Sequence, residues 1–221
     1  MKSPLHTLEE TRVAMLLERL YAEAAANDSR LTPQIRSQAG KQGAMDDLKL
    51  APILDNAFMA VNPEVGRLFY LLVRMHKPAL IVEFGTSQGV SAIHIGSALR
   101  DNGFGRLITT ERNPRKVERA RGHIEEAGLA DLVEVRCGDA FETLVGTRAI
   151  DLLVLDGWKA LYLPLLKQLE PCLSPGCVIV ADDTTLMPEI LAGYLSYVRN
   201  PANGYISSAI PIDDGLELSM R

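Results

Sequence analysis

Six carboxylates of this chain stand at or just beyond the ends of short apolar runs. Glu83 lies near the end of Ala79–Phe84, Glu111 follows Leu107–Thr110, and Asp139 follows Leu132–Arg136 in Cys137-Gly-Asp-Ala140. Asp156 follows Ile150–Leu155, and Asp182 and Asp183 follow Val178–Ala181. A carboxylate at the end of an apolar strand is costly unless it meets a donor or a cation. Glycines mark the first of these ends: in Glu83-Phe-Gly-Thr-Ser-Gln-Gly89, Gly85 allows a tight turn with positive φ and Gly89 lets the backbone approach a ligand. The spacing is E-x-G-x-x-x-G, which fits the G-x-G-x-x-G dinucleotide fingerprint poorly.

If the runs are parallel strands of one sheet, the carboxylates fall into two groups. Glu83, Glu111 and Asp139 end three strands in register. They suit a ligand that presents ammonium, hydroxyl and amino donors and no phosphate, with Glu111 accepting from ribose hydroxyls as acidic residues do in dinucleotide folds. A pyrophosphate would be repelled, which points to S-adenosylmethionine rather than NAD. Asp156, Asp182 and Asp183 meet at the edge of two adjacent strands. Three carboxylates so close repel one another unless a cation joins them, and their hard oxygens suit Mg²⁺, Ca²⁺ or Mn²⁺ rather than Zn²⁺. Lys159, three residues past Asp156, reaches the same place. Near a cation its pKa would fall and it could serve as a general base. Trp158, the only tryptophan, is a core plug, a wall of the cleft or a π-face for a sulfonium.

The elements that must position these residues follow from periodicity. Strand candidates at 79–84, 107–110, 132–136, 150–155 and 178–181 alternate with helix candidates at 89–100, 114–127, 160–170 and 187–198. Strands as uniformly apolar as Leu152–Leu155 imply burial on both faces, hence a parallel sheet between helices, a doubly wound Rossmann-like α/β fold. Residues 204–210 and 216–220 predict a closing antiparallel hairpin. Upstream, Leu8, Met15, Leu16, Leu20 and Ala24 give an amphipathic helix over 8–26, and Pro63 opens another over 63–77. Pro33, Gly40 and Gly43 make 27–50 read as a mobile connection with one short helix.

With 221 residues and a net charge of −5, the chain makes one large domain or two cramped ones. The strands occupy 79–221 so fully that the first reading stands: one domain over 1–221, with 1–60 as a helical cap, substrate or dimer segment. The acidic balance and 5% aromatic content argue against nucleic-acid binding. Cys137, Cys172 and Cys177 form no metal or disulfide pattern. No secretory leader or membrane span is evident, so a cytoplasmic protein is expected.

At these residues the sequence resembles the class I S-adenosylmethionine-dependent O-methyltransferases, and within them the small metal-dependent catechol O-methyltransferase type. The resemblance runs from about Met59 to the C-terminus. It is carried by Leu155-Asp-Gly-Trp-Lys-Ala-Leu-Tyr-Leu-Pro164, Val82-Glu-Phe-Gly-Thr86, Ile108–Pro114, Ala181-Asp-Asp183 and Met59-Ala-Val61. It implies a seven-stranded sheet with an antiparallel last strand. It implies that Val61, Glu83, Gly85, Thr86, Ser87, Gly89, Ser91, Glu111, Arg112, Asp139, Ala140, Asp156 and Trp158 bind the donor. Asp156, Asp182 and Asp183 would hold the metal, and Lys159 would be the base. Three positions depart from the pattern: Gly157 replaces a histidine, Asp183 an asparagine, and Ser208 a glutamate that faces the acceptor's second hydroxyl. The expected function is methyl transfer to a hydroxyl of a small, aromatic acceptor. The alternatives are a metal-independent small-molecule methyltransferase and a nucleotide-binding α/β protein of another kind. A homodimer through the N-terminal helix is a further expectation.

Overall fold

A computed structural model describes residues 6–39 and 54–221. Seven strands form one sheet: β1 Leu80–Phe84, β2 Arg106–Glu111, β3 Val133–Cys137, β4 Ile150–Leu155, β5 Leu173–Ala181, β6 Ile206–Ile210 and β7 Leu216–Met220. Their order is β3-β2-β1-β4-β5-β7-β6. The first five are parallel, and β7 runs antiparallel to both β5 and β6. The order turns back at β1 and β4, so the loops leaving their carboxyl ends splay apart and open a crevice there.

The apolar strands are buried on both faces by two helical layers. Seven α-helices are described: α1 Thr11–Ala39, α2 Pro63–His76, α3 Val90–Asn102, α4 Pro114–Glu126, α5 Ala140–Thr143, α6 Tyr162–Leu169 and α7 Pro188–Arg199. Alternate residues of each strand serve the two layers. Ile81, Leu107, Leu152 and Val178 pack with Leu16, Leu20, Phe69, Ile93 and Ile124 of α1–α4. Val82, Phe84, Leu153 and Ile179 pack with Leu165, Leu166, Leu191 and Tyr194 of α6 and α7. No described helix is long and apolar enough to cross a membrane.

Two expectations change. The first helix runs on to Ala39 instead of ending at 26. Asn27 and Asp28 do not turn onto their own backbone, the usual reason such residues break helices. Instead their side chains accept from the amides of Phe58 (2.9 and 2.7 Å), and Asp28 also from that of Met59 (3.1 Å). Residues 40–53 of the expected connection lie outside the described residues. In β7 the polar residues are buried too: Glu217 and Ser219 are fully buried along with Leu216, while Met220 is half exposed. Arg199 from α7 grips the Glu217 carboxylate with two hydrogen bonds, 2.8 and 2.6 Å, and the Ser207 hydroxyl donates a third. Despite its burial, these donors hold Glu217 below the usual carboxylate range.

Candidate active site

The end of β1 is clamped between its neighbours. The Thr110 carbonyl accepts from the amides of Gly85 (3.1 Å) and Thr86 (3.0 Å), and the Phe84 carbonyl accepts from the Asp156 amide (2.9 Å). Gly85 has φ +105°, and a Cβ there would collide with the Asp156 carbonyl and lie 2.8 Å from the Gly157 nitrogen. Ser87 takes φ +45°, a left-handed conformation that costs a non-glycine residue about 1 kcal/mol or more. The loop delivers the chain to Gly89, which precedes α3 and touches Ala120 of α4.

Around this loop the strand ends enclose a cavity of about 450 Å³. Of the expected donor residues, Val61, Gly85, Ser87, Glu111, Arg112, Asp139, Ala140, Asp156 and Trp158 line it. Thr86 and Ser91 line a small recess beside it, shared with Val61 and Asp156. Glu83 and Gly89 line neither. Glu83 lies fully buried, its Oε2 accepting from Thr109 Oγ1 at 2.5 Å and its Oε1 without a partner among the described residues. Burial pushes its pKa up to about 7, against the pull of the Ser91 and Thr109 hydroxyls.

Glu111 holds the loop as well as lining the cavity. Its two oxygens accept from the amides of Ser87 (3.0 Å) and Asn113 (2.8 Å). Each oxygen retains a lone pair for a ligand. Asp139 caps α5 through the Phe141 amide at 2.8 Å, so it is a helix cap and a cavity residue at once. The Arg112 guanidinium lies 5.9 Å from the centre of the Trp158 ring, joining the loops after β2 and β4.

The opposite end of the cavity carries Asp156, Lys159, Asp182 and Asp183. Lys159 is buried. Its Nζ lies 2.7 Å from Asp183 Oδ2 and 3.8 Å from Asp156 Oδ1, and donates to the Tyr162 hydroxyl at 3.0 Å. That hydroxyl donates in turn to the Asp182 carbonyl at 3.3 Å. Burial, and then the charge of Asp182, pushes the Asp156 carboxyl well above its usual range. Burial and Asp183 do the same to Asp182. Burial opposes the charge of Lys159, but Tyr162, Asp183 and Asp156 outweigh it and hold the ammonium well above its usual range. The lowered value expected from the sequence is that of Lys159 beside a bound cation; here its nearest charged neighbours are Asp183 and Asp156.

The donor set is of a kind that suits a divalent cation. It has three hard-oxygen carboxylates on one wall, two of them raised first by burial and then by a neighbouring carboxylate, which one ammonium only partly offsets. Among the described residues, no three such side chains are gathered around one point; Asp183 is paired with Lys159.

Several residues that line the cavity or stand behind it were missed in the sequence. Tyr162 carried a signal, since it lies one helical turn beyond Lys159. Lys116 sits in the first turn of α4, which starts at the strand-end edge. Asp213 and Asp214 line the cavity from the turn before β7, beside the end of β5. Ser208 is exposed and does not line it. Leu186 and Met187 come from the loop after β5.

Tyr162→Phe is expected to lower kcat by roughly tenfold, the worth of one hydrogen bond to a charged group. It should leave S-adenosylhomocysteine affinity within twofold and the fold intact. Steady-state kinetics beside calorimetry checks this; an unchanged kcat would show that the hydroxyl does not position Lys159.

A methyltransferase-domain family model matches residues 82–184. A catechol O-methyltransferase B of Danio rerio is 34% identical over 176 residues, covering 73% of this chain and 65% of the relative. The catechol O-methyltransferase of Mycobacterium tuberculosis is 30% identical over 167 residues, covering 75% and 72%. The crystal structure of the O-methyltransferase TomG from Streptomyces achromogenes, in complex with SAM, superposes with a TM-score of 0.65 at 26% identity, covering 73% and 81%. The chain spans between 56% and 65% of the length of the first curated relatives it matches.

Proposed function

The chain belongs to the class I S-adenosylmethionine-dependent O-methyltransferase family, and we propose that it transfers the methyl group of S-adenosylmethionine to a hydroxyl of a small aromatic molecule. The observation that carries this reading is the single enclosure. The glycine loop with Glu111 and Asp139 bounds one end and Lys159 with its aspartates the other, so donor and acceptor would share one cavity.

In this reading Glu111 accepts from the ribose hydroxyls with the lone pairs left over from Ser87 and Asn113. Asp139 and Ala140 lie beside the base. Gly85, Thr86, Ser87, Ser91 and Val61 surround the methionine portion, with Glu83 and Gly89 supporting the loop from behind. Arg112 and Trp158 cover the nucleoside. Lys159 Nζ, once it has released its own proton and become a neutral amine, takes the proton of the acceptor hydroxyl, and the held geometry of the two reactants supplies much of the acceleration. Asp156, Asp182 and Asp183 are the residues that would hold Mg²⁺, Ca²⁺ or Mn²⁺. When bound, such a cation supplies positive charge that polarises the acceptor hydroxyl and loosens the carboxylates' grip on the Lys159 proton.

The test has two arms. Calorimetry with S-adenosylhomocysteine against NAD is expected to favour the former; preference for NAD would remove the donor assignment. In the second arm Mg²⁺ is expected to raise the melting temperature of the wild type, and not of Asp182→Asn, and a chelator to abolish methylation of a catechol. Full activity in chelator would favour the metal-free alternative, in which the Lys159–Asp183 ion pair provides the only cation at the acceptor.

A further inference from the structure

Lys116 is a buried lysine for which the methyl-transfer chemistry has no use. Its side chain is 7% exposed, although an ammonium is among the groups least readily removed from water. Burial lowers its pKa, and the charges of Glu111, Asp55 and Asp28 work against that fall. Its Nζ donates to the Leu54 carbonyl at 3.2 Å and faces Ser87 Oγ at 3.5 Å. Ser87 Oγ donates to the Phe58 carbonyl at 2.5 Å, and the Asn113 amide group to the Asp55 carbonyl at 3.3 Å. From the other side, the amides of Phe58 and Met59 are held by Asn27 and Asp28 of α1.

The segment 54–61 is therefore a strap held mainly by its backbone. Three carbonyls accept from side chains of the glycine loop and the start of α4, and two amides donate to Asn27 and Asp28 in the middle of α1. Met59, Ala60 and Val61 of this strap line the cavity and also the small recess beside Thr86 and Ser91. Met59 itself is held at φ +52°, a conformation that an unfastened chain would relax. Lys116 is the point where the strap, Ser87 and the carboxylate of Glu111 meet. It is also the ammonium in that group, since the other two fastenings are a neutral hydroxyl and a neutral amide. A charge-assisted hydrogen bond is about twice as strong as a neutral one.

We propose that Lys116 is a positioning residue that fastens the 54–61 strap over the donor end of the cavity and so sets how quickly the donor nucleoside leaves. This rests on the donor reading given above and adds to it a release step controlled by a residue outside the chemistry. Lys116→Met removes the fastening charge at similar length, and Lys116→Arg keeps a cation that can still reach a carbonyl.

Two measurements decide it on the full chain. The first is amide hydrogen exchange of Phe58 and Met59. The second is the dissociation rate of S-adenosylhomocysteine, followed by the fluorescence of Trp158. In Lys116→Met both rates are expected to rise by roughly tenfold or more, with the acceptor KM unchanged and Lys116→Arg recovering most of the loss. Wild-type rates in Lys116→Met would overturn the proposal, and so would equal acceleration in the Met and Arg variants. If Lys116→Met fails to fold, Ser87→Ala, which frees the Phe58 carbonyl, must show the same paired acceleration or the strap has no fastening role. If the wild type binds no S-adenosylhomocysteine, the donor reading fails, while the exchange measurement still decides whether Lys116 fastens the strap.

Discussion

Lys159→Met is expected to cut turnover by roughly 10²–10⁴-fold, the usual worth of a positioned acid–base group, while S-adenosylhomocysteine binds within a few-fold of wild type. The separation follows from the layout. Lys159 stands with Asp183, Asp156 and Tyr162 at the acceptor end. Glu111 and Asp139 stand at the end formed by β2 and β3, and their hydrogen bonds to Ser87, Asn113 and Phe141 do not involve Lys159. Methionine matches the length of lysine, so the change removes the amine with little change of volume. Lys159→Arg should be nearly as slow, because a guanidinium keeps the ion pair to Asp183 but cannot take up a proton. Single-turnover kinetics beside calorimetry separates the outcomes. If Lys159→Met turns over normally, Lys159 is only a counter-ion for the aspartates. If Lys159→Arg keeps full rate, charge at this place is sufficient and proton transfer has another carrier.

Gly85→Ala is expected to cost about 2–4 kcal/mol of stability and to weaken donor binding by at least tenfold. A methyl group at φ +105° would lie against the Asp156 carbonyl, 2.6 Å from its carbon and 2.8 Å from the Gly157 nitrogen. Those atoms cannot swing aside as a side-chain tip would, because the Asp156 amide is bonded to Phe84 and β4 lies in the centre of the sheet. Relief must come from parting β1 and β4, which moves the glycine loop and Asp156 together. Urea unfolding and S-adenosylhomocysteine titration should therefore report losses in parallel. Wild-type stability and affinity would mean that the loop tolerates a different path.

What was legible in the sequence was the set of strand ends. Apolar runs marked strands buried on both faces of a parallel sheet, and the carboxylates at their ends then fell into register. The two groups of carboxylates follow from that register. Contacts between distant segments were not legible. Nothing in local spacing pairs Lys116 with the Leu54 carbonyl, 62 residues away, or Arg199 with Glu217. The alternation of Leu216 to Met220 marked a strand but could not say that Glu217 and Ser219 are buried as well as Leu216, because the partner guanidinium lies on α7. Gly157 shows the same limit. Its departure from the family pattern was visible, while the closeness of the Phe84 ring, which would lie 2.6 Å from a Cβ there, was not.

The place of β7 bears on how the molecule is assembled. It is inserted between β5 and β6, although it follows both in the chain. β6 is thus made before the strand that joins it to the sheet, and it has no sheet hydrogen bonds until β7 arrives. The sheet cannot grow outward in the order of synthesis; its far edge closes by a late insertion. That insertion also brings Glu217 to Arg199 and Ser207, so a buried carboxylate finds its donors at the moment the gap is filled. The turn that carries Asp213 and Asp214 reaches the mouth of the cavity in the same event. The half of the enclosure built on β1, β2 and β3, proposed above for the donor, can form earlier, and the half proposed for the acceptor is completed last.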